Sequence, residues 1–152
     1  MCHLRPMNAY EFEHYIKPAI KEYASELTIS GSSSESDSMK NAQKTFDYLL
    51  PDGIKSEGQY LFHVINKTDA IIGMTWFGLR SNNEGFIYDF SINETFRGQG
   101  FGTKTMELLE KEAKKHGVKK LGLHVFGHNF AAISLYKKMG YTVYSMNMSK
   151  EI

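Results

Sequence analysis

Arg97-Gly98-Gln99-Gly100-Phe101-Gly102-Thr103 decides the reading of this chain. An apolar run, Phe86-Ile87-Tyr88-Asp89-Phe90-Ser91-Ile92, precedes it and has the composition of a strand; Lys104 to His116 follows with helical spacing. A glycine-rich turn between a strand and a helix is a place to hold phosphate. Glycines let the backbone come close, and the first helical N–H groups have no partner within the helix. They lie at the positive end of the helix dipole. Two familiar phosphate loops are excluded by spacing. A dinucleotide fingerprint and a Walker-type loop, counted from Gly98, each require glycine where Thr103 stands, although Lys104 does follow. Alone, the seven residues would also serve as a plain strand-to-helix turn.

The pattern that remains is Arg-x-x-Gly-x-Gly, and a second stretch accompanies it. After a strand-like run, Lys120-Leu121-Gly122-Leu123-His124-Val125-Phe126, comes Asn129-Phe130-Ala131-Ala132-Ile133-Ser134-Leu135-Tyr136-Lys137-Lys138-Met139-Gly140-Tyr141. In order and separation the two resemble the motifs of the GNAT family of N-acetyltransferases, with Tyr141 where the family pattern has Phe. The wording from Leu123 to Asn129 and the ending Met148-Ser149-Lys150 are similar to a bacterial subgroup of that family. The likeness in motif runs from Phe86 to the end; the first half resembles the family only in element order.

The whole chain sets bounds that agree. At 152 residues it predicts one domain, 1–152. Hydrophobic residues make up 41% and charged residues 23%, as in ordinary globular proteins. Eighteen basic against 17 acidic residues leave a net charge of +1, so no nucleic-acid footprint and no polybasic membrane anchor is expected. No apolar stretch reaches the length of a membrane span. The opening Met1-Cys2-His3-Leu4-Arg5-Pro6 lacks the apolar centre of a signal peptide, and Cys2 is the sole cysteine, so the expected setting is the reducing cytoplasm.

Asn8-x-x-Glu11 has the spacing of a helix cap and its reciprocal partner, and Phe12, Tyr15, Ile16, Ala19, Ile20, Tyr23 and Leu27 recur at helical intervals. Pro18 is expected to kink or split this helix. Gly31 to Ser38 is a polar low-complexity stretch that predicts a mobile loop, and a second helix is expected from about Met39 to Leu50. Tyr60–Ile65 and Ala70–Leu79 predict paired strands joined by a turn at Asn66–Asp69; Ser81–Glu84 predicts a turn into the next strand, and Thr142–Met148 a last one. The expectation is an α/β fold: a mixed sheet of about six strands, an antiparallel meander then a parallel β-α-β step, flanked by about four helices.

The resemblance implies acetyl transfer from acetyl-coenzyme A to an amine, without a metal. It implies that Arg97, Gly98, Gln99, Gly100, Phe101, Gly102 and Thr103 wrap the pyrophosphate, and that main-chain groups of Phe90, Ser91 and Ile92 pair with the pantetheine arm. That requires the parallel strands to splay near Asp89 and His124. Asn129 is expected to cap its helix and reach the coenzyme, with Ala132 beside it. Tyr136 takes the family's general-acid position; a phenol is protonated at neutral pH and can donate to a thiolate.

The base stays open between His124, Asp89 and ordered water. His124 stands where ribosomal-protein N-terminal acetyltransferases carry a glutamate, and Asp89 is a lone charge in an apolar strand. Strand alternation puts Asp89 and Ser91 opposite Tyr88 and Phe90 unless a bulge intervenes. His124 and His128 cross a strand end rather than one helical face, so a metal pair is not expected. Tyr23, Phe46, Trp76 and Phe77 could line an acceptor pocket, but each taken singly reads as core. The acceptor is a small-molecule amine or a protein or peptide amine, and a homodimer is compatible with the resemblance. A coenzyme A sensor or interaction module without catalysis, on the same fold, is the alternative.

Overall fold

The computed structural model describes all 152 residues. In chain order its elements are β1 (Cys2–Pro6), α1 (Ala9–Ile29), α2 (Glu35–Leu49), β2 (Gln59–Asn66), β3 (Ile71–Leu79), β4 (Glu84–Ile92), α3 (Phe101–Lys115), β5 (Lys120–Leu123) and α4 (Phe130–Lys138). The five strands form one sheet in the order β1-β2-β3-β4-β5. β1 to β4 pair antiparallel, and β4 with β5 parallel. The expected meander and parallel step are both present, with five strands rather than about six.

Each face of the sheet has its own core. Phe12, Ala24, Leu27, Ala42, Phe46 and Trp76 belong to the cluster under α1 and α2. Phe62, Phe77, Ile87, Met106, Leu109 and Ala113 form the cluster under α3, which Leu135 and Tyr136 of α4 join. Adjacent strand residues feed opposite clusters, as alternation requires: Trp76 the first, Phe77 the second.

Four expectations change. The segment Thr142–Met148 is not a strand; its side chains are exposed, and the last main-chain hydrogen bond runs from Tyr141 N–H to the Tyr136 carbonyl, 2.9 Å. The remaining strand is instead β1, an edge strand whose Leu4 packs onto the α3-side core and whose Pro6 closes it. The serine-rich stretch is partly helical. α2 begins at Glu35, and Ser38 is buried, bonded to Thr28 Oγ1 at 2.6 Å and to the Ser34 carbonyl at 2.8 Å. Hydroxyls saturate one another there, so polarity did not prevent packing. α1 runs unbroken through Pro18, which leaves the His14 carbonyl without its helical donor. Burial of Ala19, Ile20, Ala24 and Leu27 beyond it outweighs that loss. The start of α1 is fixed by the expected capping box: Asn8 Oδ1 accepts from Glu11 N–H at 2.8 Å and Glu11 Oε1 from Asn8 N–H at 3.1 Å. Glu11 also ties α1 to β1 through Arg5 and to β2 through His63.

Two local departures in β4 position the site. Trp76 lies opposite Asp89 but Phe77 opposite Ile87, so Tyr88 is an extra residue, a β-bulge. The bulge breaks alternation and turns Tyr88 and Asp89 to the same face. Tyr88 packs its ring 4.9 Å from Trp76, and Asp89 bonds to α1. In addition, pairing with β5 covers only Glu84–Ile87 and Lys120–Leu123. From Tyr88 onward β4 keeps β3 on one side and has no strand on the other.

Candidate active site

The glycine loop leaves β4 through a short 3-10 turn, Glu94–Phe96. Gly98 and Gly100 have φ of +72° and +85°, a region that residues with a Cβ rarely adopt. Gly100 is the N-cap of α3. A Cβ built at Gly98 meets nothing within 4 Å, and one at Gly100 only Met1 Cε at 3.7 Å. Glycine is thus required by the turn, and the space it faces is open. No main-chain carbonyl accepts from the N–H groups of Gly98, Gln99, Gly100, Phe101, Gly102 or Thr103; the first helical bond is Lys104 N–H to the Gly100 carbonyl, 3.2 Å. α3 therefore starts a turn earlier than Lys104, and the donors of its first turn and of the loop are free, an arrangement able to cradle an anion.

Side chains brace this loop. Arg97 Nε donates to the Ile92 carbonyl at 2.8 Å, tying the loop to the end of β4, and Gln99 Nε2 donates to the Thr95 carbonyl at 3.1 Å. Lys138 of α4 donates from Nζ to Thr103 Oγ1 at 3.4 Å, which brings a second cation to the loop in addition to Arg97. α4 is held by its own cap: Asn129 Oδ1 accepts from Ala132 N–H at 3.3 Å.

Tyr136 projects from α4 to the splay. Its ring lies 6.4 Å from Phe90 and 5.9 Å from Tyr141, edge-on to both. Burial, then the charge of Asp89, pushes its phenol up to about 12, so it is protonated throughout the neutral range. Three tyrosines crowd this region, and their hydroxyls differ. Tyr141 donates to Glu110 Oε2 at 2.9 Å, and Tyr15 to Asp89 Oδ2 at 2.6 Å. The Tyr136 hydroxyl has no protein partner, yet it is not among the side-chain atoms closed off from solvent.

Asp89 is a part-buried carboxylate with two neutral donors, Tyr15 OH and its own neighbour Phe90 N–H at 2.9 Å, and no ion pair. Burial holds its carboxyl above the ordinary carboxylate range, while the two hydrogen bonds pull the other way. Glu22 on α1 is also held up, first by desolvation and then by the charges of Asp89 and Glu26, with Arg97 opposing. His124 follows directly on the end of β5. It is exposed, packs edge-on to Phe126 at 4.9 Å, and makes no hydrogen bond or ion pair with Asp89 or Tyr136. His128 is taken up by Glu26.

The structure brings Phe90, Asp89 and Tyr136 together at the splay and the glycine loop to the adjoining end of β4. Tyr15, Glu22 and Lys138 belong to the same neighbourhood and carry no motif. Tyr15, Glu22 and Glu26 do share a stripe of α1, but only the bulge shows that the stripe faces a part-buried carboxylate. Of the residues named for an acceptor pocket, Phe46, Trp76 and Phe77 take the core reading. Trp76 and Phe77 are buried on opposite faces of the sheet and Phe46 within the α1/α2 core; Tyr23 is half-buried between Phe46 and Phe126.

Residues 20–141 match the Acetyltransferase (GNAT) family. The chain belongs to that family. Among similar proteins, the uncharacterised N-acetyltransferases YdgE and YycN of Bacillus subtilis are 30% and 33% identical to it, each over 98% of this chain and 97% of the relative. The crystal structure of YycN superposes with a TM-score of 0.93 at 32% identity, covering 100% of this chain and 99% of the other. The GNAT fold also includes AAC(6')-Iy, solved with the bisubstrate analogue CoA-S-monomethyl-acetylneamine; at a TM-score of 0.60 and 9% identity over 100% and 98% of the two chains, that likeness is of fold alone. GNAT proteins draw on acetyl-coenzyme A. No helix of this chain is long and apolar enough to cross a membrane.

Proposed function

We propose that this chain transfers the acetyl group of acetyl-coenzyme A directly to an amine, using Tyr136 as acid and Asp89 as proton acceptor. One observation carries the reading: the Tyr136 hydroxyl is the phenol in its neighbourhood without a protein partner, and it stands at the splay within reach of the charge of a part-buried carboxylate, Asp89.

The cradle fits the coenzyme. Free N–H groups from Gly98 to Thr103 hold the pyrophosphate, with Arg97 and Lys138 adding positive potential. The unpaired edge of β4 at Phe90 and Ser91 receives the pantetheine arm as a strand would. The Ile92 carbonyl is engaged by Arg97, so Ile92 contributes to the loop's attachment rather than to that edge. Asn129 and Ala132 form the wall at the start of α4.

The bound coenzyme supplies the acetyl thioester. The chain's own groups handle the protons. Asp89 accepts one from the acceptor ammonium and leaves a neutral, nucleophilic amine. Tyr136 passes its proton to the departing thiolate and recovers one from the newly acylated nitrogen. Burial that keeps Tyr136 protonated also makes it a weaker acid than a free phenol, so its proton follows the breaking C–S bond rather than leading it. His124 remains a surface residue in this scheme.

The test is thiol release from acetyl-coenzyme A against a panel of small amines, amino acids and N-terminal peptides. Acceptor-dependent release is expected with one class. Tight coenzyme binding with no release across the panel would defeat the reading.

A further inference from the structure

Asp89 is a part-buried carboxylate without an ion pair, and a side chain from a distant part of the chain holds it. Tyr15 OH donates to Asp89 Oδ2 at 2.6 Å across 74 residues of sequence. The other carboxylate oxygen, Oδ1, is taken by Phe90 N–H at 2.9 Å. Each oxygen therefore has one neutral donor, and the carboxylate cannot rotate without losing both.

The donor is as firmly fixed as the acceptor. α1 is anchored at its start by the capping box and by Glu11, which reaches Arg5 and His63. Tyr15 packs against the α1/α2 core. On the other side, the bulge at Tyr88 is what turns Asp89 toward α1 at all; without it Tyr88 and Asp89 would point to opposite faces. A bulge on one element and a hydroxyl on another thus converge on a single carboxylate beside Tyr136. A purely structural tyrosine would be served as well by the many main-chain carbonyls of a strand. Bonding a part-buried carboxylate instead orients one set of its lone pairs and leaves the other set for a proton.

We propose that Tyr15 is a positioning residue: its hydroxyl orients the Asp89 carboxylate so that the free lone pairs face the acceptor nitrogen. This rests on the acetyl-transfer reading above. Three other groups bear on Asp89. Glu22 of α1 and Tyr136 of α4 both sense its charge, and Arg97 of the glycine loop offsets Glu22, itself next to Glu26 and His128. None of them bonds to Asp89, so Tyr15 is its one side-chain donor, beside the main-chain N–H of Phe90.

The experiment compares the full-length wild type with Tyr15→Phe, Asp89→Asn and the double variant. Acetyl-coenzyme A Kd and the pH profile of kcat/KM for the best acceptor are measured for each. A donor hydrogen bond favours the ionised carboxylate, so its removal moves the acidic limb of the Tyr15→Phe profile to higher pH and leaves Kd unchanged. Asp89→Asn removes the limb. The double variant is no slower than Asp89→Asn, because the two residues act as one unit. A limb that stays in place in folded Tyr15→Phe, or losses that add in the double variant, overturns the inference while leaving the function intact. Absence of turnover in the wild type with coenzyme bound overturns the acetyl-transfer reading, and this inference with it.

Discussion

From β4 to α4 this protein presents a row of main-chain groups to its site, with Asp89 and Tyr136 among them; α1, in contact with the same strand end, presents side chains alone. The first region offers a row of free N–H groups held by two left-handed glycines and an unpaired strand edge. The second offers Tyr15, Glu22 and Glu26 from an otherwise ordinary amphipathic helix. The difference explains why the halves are unequally readable. A site built from backbone demands particular residues at fixed spacing, since only glycine holds φ near +80° without strain. A site built from helix side chains needs three residues on one stripe, a pattern every helix has.

The comparison can be broken most forcefully at the loop. Gly100→Glu places a side chain where φ is +85° and a negative charge in an anion cradle. Coenzyme Kd is expected to weaken on the order of 100-fold or more, about 3 kcal/mol. Titration calorimetry on a variant with unchanged circular dichroism measures it, and retained tight binding would show that the cradle lies elsewhere.

A second substitution asks whether the motif-free half also has a backbone constraint. A Cβ at Gly73 would collide with the Ser91 carbonyl, where β3 meets β4. Gly73→Ala is expected to cost about 3 kcal/mol of stability, because backbone cannot yield as a side chain can. A urea midpoint within error of the wild type would refute the close approach.

The third prediction concerns Asp89 and sharpens the contrast between stability and use. Its folded-state pKa lies above the unfolded value, so the folded state binds its proton more tightly. The associated stability is complete below the unfolded pKa and is lost as pH rises through the folded one. At neutral pH the ionised group is therefore a burden, and Asp89→Asn, which keeps an acceptor for Tyr15, is expected to raise Tm at pH 7 and to lose that advantage near pH 3. A lower Tm at pH 7 would mean that the charge is well compensated.

Much of the fold was legible. The Asn8–Glu11 cap, the Asn66–Asp69 turn, the β3–β4 antiparallel pairing and the crossover to a parallel β5 all follow from local chemistry that tertiary contacts did not override. The failures share a cause. In β1, Cys2–Pro6 has a single strongly apolar inward residue, Leu4, and is a strand because β2 pairs with it. Thr142–Met148 has the alternation of a strand, yet Val143, Tyr144, Met146 and Met148 are all exposed; a period of two does not supply a partner. Ser38 is buried by hydroxyl pairs that no hydropathy pattern encodes. The cap at Asn129 and the left-handed turns at Gly98 and Gly100 follow from local sequence, whereas the Tyr88 bulge and the Tyr15 contact depend on tertiary pairing.

The most direct test of the account is Tyr136→Phe, with acetyl-coenzyme A Kd and kcat measured in parallel at saturating acceptor. The account predicts a kcat lower by roughly 100- to 10,000-fold, the usual worth of a positioned acid, with Kd unchanged. An unaltered kcat across pH would contradict it, and so would a loss of coenzyme affinity that accounts for the whole effect.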